Sequence, residues 1–359
     1  MRWGELWWIV VAAMLLSSAG TAAEEAMVLY KSGKGGSVNV VGLDGSVTLL
    51  GTPEFRERQG SILMEMPDSR FGMLWLAQSG RMGITLGRNA TTDVQQTFPE
   101  YSYWDGTKVS FHMKDLALDP QARRLAYIDQ SKGQSLCVKD LSGAGGPRAL
   151  LESDQWLQAP SWSPDGSRIA VYQAKEGGKP CLYRLLVVDA QTGQAREVAP
   201  PCKETFGFAD GSIRPAAWRP NGRAIFFESY YEEKEPGWDA FIYAVSPDGG
   251  RVVRIGAGYE PQVHPDGDRL YYQAASEGAS EGGLAVYNLE DDTQVLVEGT
   301  RLFKISPSGK YLACLRPRGK DEPPRRPGTT ITLTDKDGQI VKTIETGQSL
   351  GRVVGWVEE

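Results

Sequence analysis

Histidine is scarce in this sequence. Only His112 and His264 occur among 359 residues, which excludes a metal site built from several histidine ligands. A surplus of basic residues is also lacking, because 39 Lys and Arg stand against 45 Asp and Glu and the net charge is -6. Proteins that neutralise nucleic-acid phosphates need the opposite balance. We therefore expect no resident metal or cofactor and no nucleic-acid partner.

Long apolar runs are also rare, and the one that stands out lies near the amino terminus. Arg2 precedes an apolar run from Leu6 to Leu16, and small residues follow up to Ala23. This pattern predicts a signal peptide over residues 1–23. The run is about half the roughly 20 residues of a membrane-spanning helix, so an uncleaved anchor is the weaker alternative. We expect residues 24–359 to form a single domain without a stable membrane span, located in the periplasm or secreted.

Cysteine is limited to four residues. Cys181 and Cys202 flank two predicted strands joined by the turn Ala190-Gln191-Thr192-Gly193. A turn centred within this tetrapeptide puts the two sulfurs opposite each other, where a disulfide is feasible only at a non-hydrogen-bonded pair. We expect this disulfide in an exported chain. Cys137 and Cys314 lie within apolar runs and are interpreted as small buried hydrophobic residues.

Glycine and proline are abundant, with 42 and 21 residues, and they mark a repeat. Its clearest copy runs from Ala159 to Tyr172 and reads Ala-Pro-Ser-Trp-Ser-Pro-Asp-Gly-Ser-Arg-Ile-Ala-Val-Tyr. The proline of its Pro-Asp-Gly turn recurs at intervals of 42 to 56 residues, at Pro67, Pro120, Pro164, Pro220, Pro265 and Pro307. The first two copies are degraded. A period of this size indicates a repeat architecture.

Each copy has the same order of elements. A strand enters the Pro-Asp-Gly turn, an apolar strand leaves it, and a variable loop, a third strand, a short glycine turn and a fourth strand follow. Proline presets φ, Asp or Asn bonds its own backbone, and glycine accepts positive φ, so these residue types suit a tight turn. Four short antiparallel strands repeated about every 45 residues predict an all-β fold, a β-propeller with four-stranded antiparallel blades.

The two ends of the chain resemble the two parts of one blade. The segment Val353–Glu359 resembles the strand and tryptophan that open a repeat, whereas Ala26–Tyr30 resembles a second strand without its first. Joined, they complete a blade and close the ring, which removes the exposed edges of an open array. Six internal copies and this composite blade predict seven blades. Six is the alternative if the copy at Met66-Pro67-Asp68 is not a true repeat, and we expect a monomer.

The Trp-Ser-Pro-Asp-Gly-x-x-Ile-Ala pattern resembles the TolB-type, WD40-like propeller repeat family. The resemblance is specific from Trp162 to Tyr172, good in the copies at Trp218, Pro265 and Pro307, and weak before residue 110. It implies a propeller that commonly serves as a binding platform in the periplasm. It does not imply a particular ligand, because one fold hosts many functions.

In such a blade the Pro-Asp-Gly and glycine turns share one face, and the variable loops and blade-to-blade crossings share the other. Aromatic residues and arginines, the types that anchor interfaces, are frequent in these loops. We therefore expect a non-enzymatic platform that binds a protein or peptide on the variable-loop face. The predicted binding residues are Arg56, Arg58, Tyr101, Tyr103, Trp104, Trp156, Phe206, Phe208, Tyr230, Tyr231, Trp238, Arg318, Arg325 and Arg326.

A second hypothesis is a propeller that binds or cleaves a carbohydrate in its central funnel. Trp104, Trp156 and Trp238 would then be stacking platforms, beside carboxylates such as Glu232 or Asp239. Aromatic side chains in the funnel next to paired carboxylates favour this hypothesis. Aromatic side chains spread over an outer rim favour a protein partner.

No complete catalytic constellation is found in the sequence. Gly347–Gly351 matches the G-x-S-x-G pattern of a nucleophilic serine, but both histidines precede Ser349, so a loop serine is expected. The turn Asp266-Gly267-Asp268 offers carboxylates for calcium without the EF-hand spacing. His264 occupies the position of Ser163 in the turn motif, which favours a structural role.

Overall fold

The computed structural model describes residues 25–30, 38–49, 62–65, 71–76, 82–88, 91–98, 116–121, 123–129, 133–140, 145–175, 182–199, 214–232, 238–275, 282–315, 330–345 and 352–358. These residues form 27 β-strands. None of them belongs to a helix long and apolar enough to cross a membrane. The predicted signal peptide, His112 and Ser349 lie outside the described residues.

The strands group into seven four-stranded units. Unit 1 contains β1 (Glu25–Tyr30), β2 (Val38–Val41), β3 (Val47–Leu49) and β27 (Arg352–Glu358). Unit 2 contains β4 (Ile62–Glu65), β5 (Phe71–Leu76), β6 (Met82–Arg88) and β7 (Thr91–Phe98). Unit 3 contains β8 (Leu116–Leu118), β9 (Arg124–Asp129), β10 (Gln134–Asp140) and β11 (Arg148–Ser153).

The remaining units follow the same scheme. Unit 4 contains β12 (Leu157–Trp162), β13 (Arg168–Lys175), β14 (Leu182–Asp189) and β15 (Ala195–Ala199). Unit 5 contains β16 (Ala217–Trp218), β17 (Ile225–Glu232), β18 (Trp238–Val245) and the first half of β19 (Val253–Val263). Unit 6 contains the second half of β19 with β20 (Arg269–Ala274), β21 (Leu284–Asn288) and β22 (Gln294–Val297). Unit 7 contains β23 (Arg301–Ile305), β24 (Leu312–Leu315), β25 (Thr330–Thr334) and β26 (Ile340–Glu345).

Within each unit the strands pair with their neighbours in sequence, and every pairing is antiparallel. Unit 1 is the composite one, with the order β27-β1-β2-β3. Units 5 and 6 are joined into one seven-stranded sheet because β19 belongs to both. These pairings confirm the predicted all-β class and the four-stranded antiparallel sheets.

The predicted turn chemistry is found at both kinds of turn. In the Pro-Asp-Gly turns, Gly166, Gly222, Gly267 and Gly309 have φ between 68 and 77°. In the turns between third and fourth strands, Gly45, Gly193, Gly249 and Gly338 have φ between 76 and 90°. An L-residue is strained at these angles, so glycine is required for each turn to close without strain.

The core lies between successive units. Clusters of fully buried side chains join unit 3 to unit 4, unit 4 to unit 5, unit 5 to unit 6, unit 6 to unit 7 and unit 7 to unit 1. Second and third strands are buried along most of their length, as in β20 and β21. Fourth strands such as β15, β22 and β26 are mostly exposed. The units therefore pack face to face, with their fourth strands outermost.

The tryptophan of the repeat ties units 4 and 5 to the units before them. Trp162 Nε1 donates to the Ala117 carbonyl at 3.1 Å, and Trp218 Nε1 donates to the Ser161 carbonyl at 3.3 Å. Both carbonyls belong to the first strand of the preceding unit. Each indole thus satisfies its N–H while its ring is buried, which makes the residue a fixed spacer between units.

A second set of bonds links the Pro-Asp-Gly turns. The side chains of Arg124, Arg168, Arg219 and His264 donate to the carbonyls of Gly166, Gly222, Gly267 and Gly309, respectively, at 2.7 to 3.4 Å. In every case the acceptor is the turn glycine of the next unit. The guanidinium groups of Arg124 and Arg168 also lie over the rings of Trp162 and Trp218. The residue next to each turn therefore holds the following unit in place.

The first and the last described strands meet in unit 1. Strand β27 pairs with β1, with Trp356 opposite Met27 and Gly355 opposite Val28. Trp356 is fully buried, and its Nε1 donates to the Lys304 carbonyl of β23 at 3.4 Å. This bond repeats the contact that Trp162 and Trp218 make with the preceding unit.

The connection between units 5 and 6 departs from the prediction of a crossing loop. Strand β19 is the outer strand of unit 5 and continues directly into the inner strand of unit 6. Gly256 and Gly258 lie where it crosses, and a Cβ atom on either residue would overlap Tyr272. The crossing is thus a continuous strand because two glycines allow the backbone to pass close to an aromatic ring.

Candidate functional site

The variable-loop end of unit 4 presents the one predicted binding residue whose side chain the structure describes. Trp156 lies between β11 and β12, and its side chain is 61% exposed. Its carbonyl accepts a hydrogen bond from the Ala174 N–H at 2.8 Å. Ala174 lies at the end of β13 that is remote from the Pro-Asp-Gly turn, so Trp156 lies on the predicted face.

The turn that carries Trp156 is fixed by a polar network. Ser153 Oγ accepts the Gln155 N–H at 2.9 Å and the Gln173 side-chain amide at 2.7 Å. Arg184 Nε donates to Gln173 Oε1 at 2.7 Å, and its Nη1 donates to Glu197 Oε2 at 2.9 Å. Gln173 is buried at the centre of this network. The exposed indole is therefore presented by a pre-organised turn, which reduces the entropy lost on binding.

The other predicted binding residues are described only in part. Tyr230 and Tyr231 lie in β17 and Trp238 lies in β18, so these three residues belong to strands and not to a loop as predicted. Backbone pairing places Tyr231 opposite Asp239 and Glu232 opposite Trp238. The side chains of these residues are outside the described part of the structure. So are the predicted residues Arg56, Arg58, Tyr101, Tyr103, Trp104, Phe206, Phe208, Arg318, Arg325 and Arg326.

A buried acidic cluster joins units 5 and 6 at the variable-loop end. Glu228 in β17 is 1% exposed, and its Oε2 accepts the Glu260 N–H at 2.7 Å and lies 3.4 Å from Arg214 Nη1. Arg214 Nε lies 3.2 Å from Glu260 Oε1, and its guanidinium is over the Tyr259 ring. Glu260 has a φ of 58° in the bulge of β19. The Glu228 carboxylate therefore secures a strained turn of the backbone.

Burial dominates the electrostatics of this cluster. It raises the pKa of the Glu228 carboxyl above its ordinary value, and Arg214 and the Glu260 N–H only partly oppose that rise. Glu228 Oε1 and the buried Ser229 hydroxyl have no hydrogen-bond partner among the described residues. Arg214 lies between the Glu228 and Glu260 carboxylates and binds both. The two carboxylates therefore hold units 5 and 6 together and are not open to a substrate as an acid–base pair.

Sequence reasoning missed Glu228. It occupies the position that Tyr172 has in unit 4 and Gln273 has in unit 6, directly after the apolar run Ile225-Phe226-Phe227. An acidic residue that follows such a run inside a predicted strand was the available signal, because a buried acidic group needs a partner.

His264, Asp266 and Asp268 come close together on the turn face. The Asp266 N–H donates to His264 Nδ1 at 3.1 Å, so Nε2 carries the ring proton and donates to the Gly309 carbonyl at 2.9 Å. Asp268 Oδ2 is bound by Lys336 at 3.0 Å and Arg269 at 3.2 Å. Lys336 and Arg269 thus place two positive charges against the Asp268 carboxylate, and these charges oppose the binding of a metal ion. The structural role predicted for His264 agrees with this geometry.

The described cysteines are buried thiols. Cys137 and Cys314 are free, and burial raises the pKa of Cys137 to about 11 and that of Cys314 to about 12. Such thiols are unreactive at neutral pH, and the prediction that they act as small hydrophobic residues is confirmed.

The Cys181–Cys202 disulfide stays a prediction, because both residues lie outside the described part of the chain. The predicted register is found near the turn, where Val188 faces Ala195 and Leu186 faces Glu197. A β-bulge then shifts it by one residue, so Leu185 faces Ala199. The simple register that set the two sulfurs opposite each other therefore fails before the cysteines, because a bulge adds one unpaired residue.

The comparisons with known proteins agree on the fold. No protein-family model matches the chain. A segment of 61 residues, 17% of this chain, is 43% identical to the Tol-Pal system protein TolB of Bordetella pertussis and covers 14% of that protein. This segment is TolB-like in sequence. The chain thus matches only a small part of its curated TolB relative.

Solved structures extend the likeness to most of the chain. The alignment with the β-propeller domain of the Trilobed protease from Pyrococcus furiosus covers 92% of this chain and 96% of that domain, with 13% identity and a TM-score of 0.56. The alignment with an oligogalacturonate lyase in complex with manganese covers 78% of this chain and 79% of the lyase chain, with 18% identity and a TM-score of 0.52. At such low identity these similarities show the propeller fold of this chain and nothing about its chemistry.

Proposed function

We propose that this chain is an exported, seven-bladed, ring-closed propeller that binds a protein or peptide on its variable-loop face without catalysis. Three observations support the ring. Seven four-stranded units are present, and β27 completes unit 1 and bonds to β23 of unit 7. Strand β27 also lies against β4, β5 and β6 of unit 2. Unit 1 therefore contacts units on both sides, as a blade in a closed ring does.

The exposure of Trp156 is the observation that carries the binding proposal. Four tryptophans have described side chains, and Trp162, Trp218 and Trp356 are all buried. Trp156 is exposed and lies on a turn that is fixed by hydrogen bonds. Exposed, pre-organised tryptophans are common at the centre of protein interfaces. A peptide or protein is therefore the preferred partner class.

The periplasmic location is part of the proposal. It rests on the signal-like residues 1–23 and on the TolB-type repeats. Amino-terminal sequencing of the mature protein is expected to begin at Glu24.

Replacing Trp156 by alanine is expected to weaken partner binding at least ten-fold, about 1.4 kcal/mol or more, because the indole is the anchor. A photo-reactive residue at Asp154, two positions before it, is expected to form an adduct with the partner in the native host. The same residue at Asn221, in the opposite turn face, serves as the control. Mass spectrometry identifies the adducts.

Two results would contradict this proposal. One is an adduct at Asn221 as strong as that at Asp154. The other is an Asp154 adduct that persists unchanged after Trp156→Ala, in a variant whose unfolding curve matches that of the wild type.

A further inference from the structure

The exposed apolar side chains of the described residues are concentrated on the outermost strands. Six large hydrophobic residues are exposed, and only Trp156 belongs to the loop face. The other five lie on the fourth strands of units 5, 6 and 7: Val253 on β19, Val295 and Leu296 on β22, and Ile340 and Val341 on β26. Consecutive exposed apolar residues on an edge invite pairing with another chain.

Strand β22 lacks the features that protect most of the outer edges. It reads Gln-Val-Leu-Val, without charge or proline, and it pairs with β21 without a register shift. By contrast, β7, β11, β15, β19 and β26 are all bulged against their inner neighbours. Bulges and charged residues are the usual protection against strand addition. Among the fourth strands with described side chains, β22 is thus the regular and uncharged edge.

The surroundings of β22 are acidic. Glu290, Asp291 and Asp292 precede the strand and Glu298 follows it, and all four are exposed. Hydrogen bonds from the Thr293 hydroxyl and N–H lower the pKa of Asp291, so this carboxyl is ionised at neutral pH. A second copy of the chain is a poor occupant, because antiparallel pairing of two β22 strands would bring these acidic groups together.

We propose that the free edge of β22 binds an extended segment of a partner protein by strand addition, and that this segment alternates apolar and basic residues. Its backbone pairs with the outward N–H and C=O groups of Gln294–Val297. Its apolar side chains all lie on one face of the sheet, where they cover Val295 or Leu296, each 48% exposed, and its basic side chains meet the acidic groups at both ends of the strand. This is the β-augmentation mode of peptide recognition.

The probe is a labelled peptide, acetyl-Lys-Val-Lys-Val-Lys-Val-amide, and binding is measured by fluorescence anisotropy. The variant Val295→Thr/Leu296→Thr is expected to weaken binding about three- to ten-fold, because Thr keeps the strand but not the apolar contact. Glu290→Gln/Glu298→Gln is expected to weaken binding and to reduce its salt dependence. The matched control is Ile340→Thr/Val341→Thr on β26, with unchanged affinity.

Hydrogen exchange shows where the peptide binds. The amides of Gln294–Val297 are expected to gain protection on addition of the peptide, whereas those of Ile340–Glu345 do not. The proposal is overturned if the peptide does not bind, if protection appears elsewhere, or if Glu-Val-Glu-Val-Glu-Val binds equally well. It is also overturned if sedimentation shows a dimer that Val295→Thr/Leu296→Thr dissociates. Trp156 is intact in every variant, so these outcomes leave the loop-face proposal untouched.

Discussion

Replacing Trp356 by alanine is expected to lower the free energy of unfolding by about 3–5 kcal/mol, the range found for a large aromatic residue removed from a core. Trp356 is fully buried among Val41 of unit 1 and Ala313 and Leu333 of unit 7. The substitution removes this packing and the hydrogen bond to the Lys304 carbonyl. It therefore weakens the contact between β27 and unit 7. Urea unfolding followed by circular dichroism measures the change.

The matched control is Trp156→Ala, which removes the same side chain from an exposed position. It is expected to leave the unfolding free energy within about 0.5 kcal/mol of the wild type, as surface substitutions usually do. Trp356→Phe should fall between the two, because it keeps an aromatic ring and loses the N–H donor. If the two alanine variants lower the free energy of unfolding equally, Trp356 does not stabilise the packing between units 7 and 1.

Replacing Glu228 by alanine is expected to destabilise the protein by about 3 kcal/mol, because it leaves Arg214 and the Glu260 N–H without their shared acceptor inside the protein. Glu228→Gln keeps an oxygen for the Glu260 N–H and should be much milder. Glu228→Gln thus removes only the charge of this side chain, whereas Glu228→Ala also removes its packing and its hydrogen bond. Chemical unfolding at a fixed pH measures the difference.

The Glu228 charge also predicts a pH dependence. Since burial raises the carboxyl pKa in the folded state, the folded protein binds more protons than the unfolded one between the two pKa values. Its stability therefore falls as the pH rises above the unfolded value of about 4.5. In Glu228→Gln this loss is absent, so its stability relative to the wild type should rise with pH across that window.

Glu197→Gln is the control for this pH dependence. Glu197 pairs with Arg184 at the surface, with about a third of each side chain exposed, and such pairs contribute little. If Glu197→Gln and Glu228→Gln show the same pH profile, the raised pKa of Glu228 is wrong.

The repeat could be predicted from the sequence because its turns and buried tryptophans depend on particular residue types at fixed positions. The Pro-Asp-Gly turns, the short glycine turns and the buried tryptophans depend on neighbours in sequence, and the structure has them where the pattern indicated. The pairing of β27 with β1 also followed from the repeat, since Val353–Glu359 and Ala26–Tyr30 are halves of one motif. Trp156 was predicted to lie in a loop of the binding face, and it lies between β11 and β12.

Features that depend on contacts between units were not predictable in this way. The bulge that shifts Leu185 has no sequence signature, since one extra residue changes the register without changing the alternation. The continuous strand β19 was not predicted, because the repeat pattern gave no role to Gly256 and Gly258. Their actual role is to make room for Tyr272 of the next strand, which only the tertiary structure reveals.

The pairing of the two chain ends is tested most directly by a pair of double-cysteine variants. Glu25 faces Glu358 and Ala26 faces Val357, and neighbouring antiparallel pairs alternate between hydrogen-bonded and non-hydrogen-bonded sites. One of Glu25→Cys/Glu358→Cys and Ala26→Cys/Val357→Cys is therefore expected to form a disulfide within a single chain, seen by peptide mass mapping without reduction. Glu25→Cys/Asn221→Cys is the control and should form none. Absence of the link from both variants, or its appearance only between two chains, would contradict the closed ring.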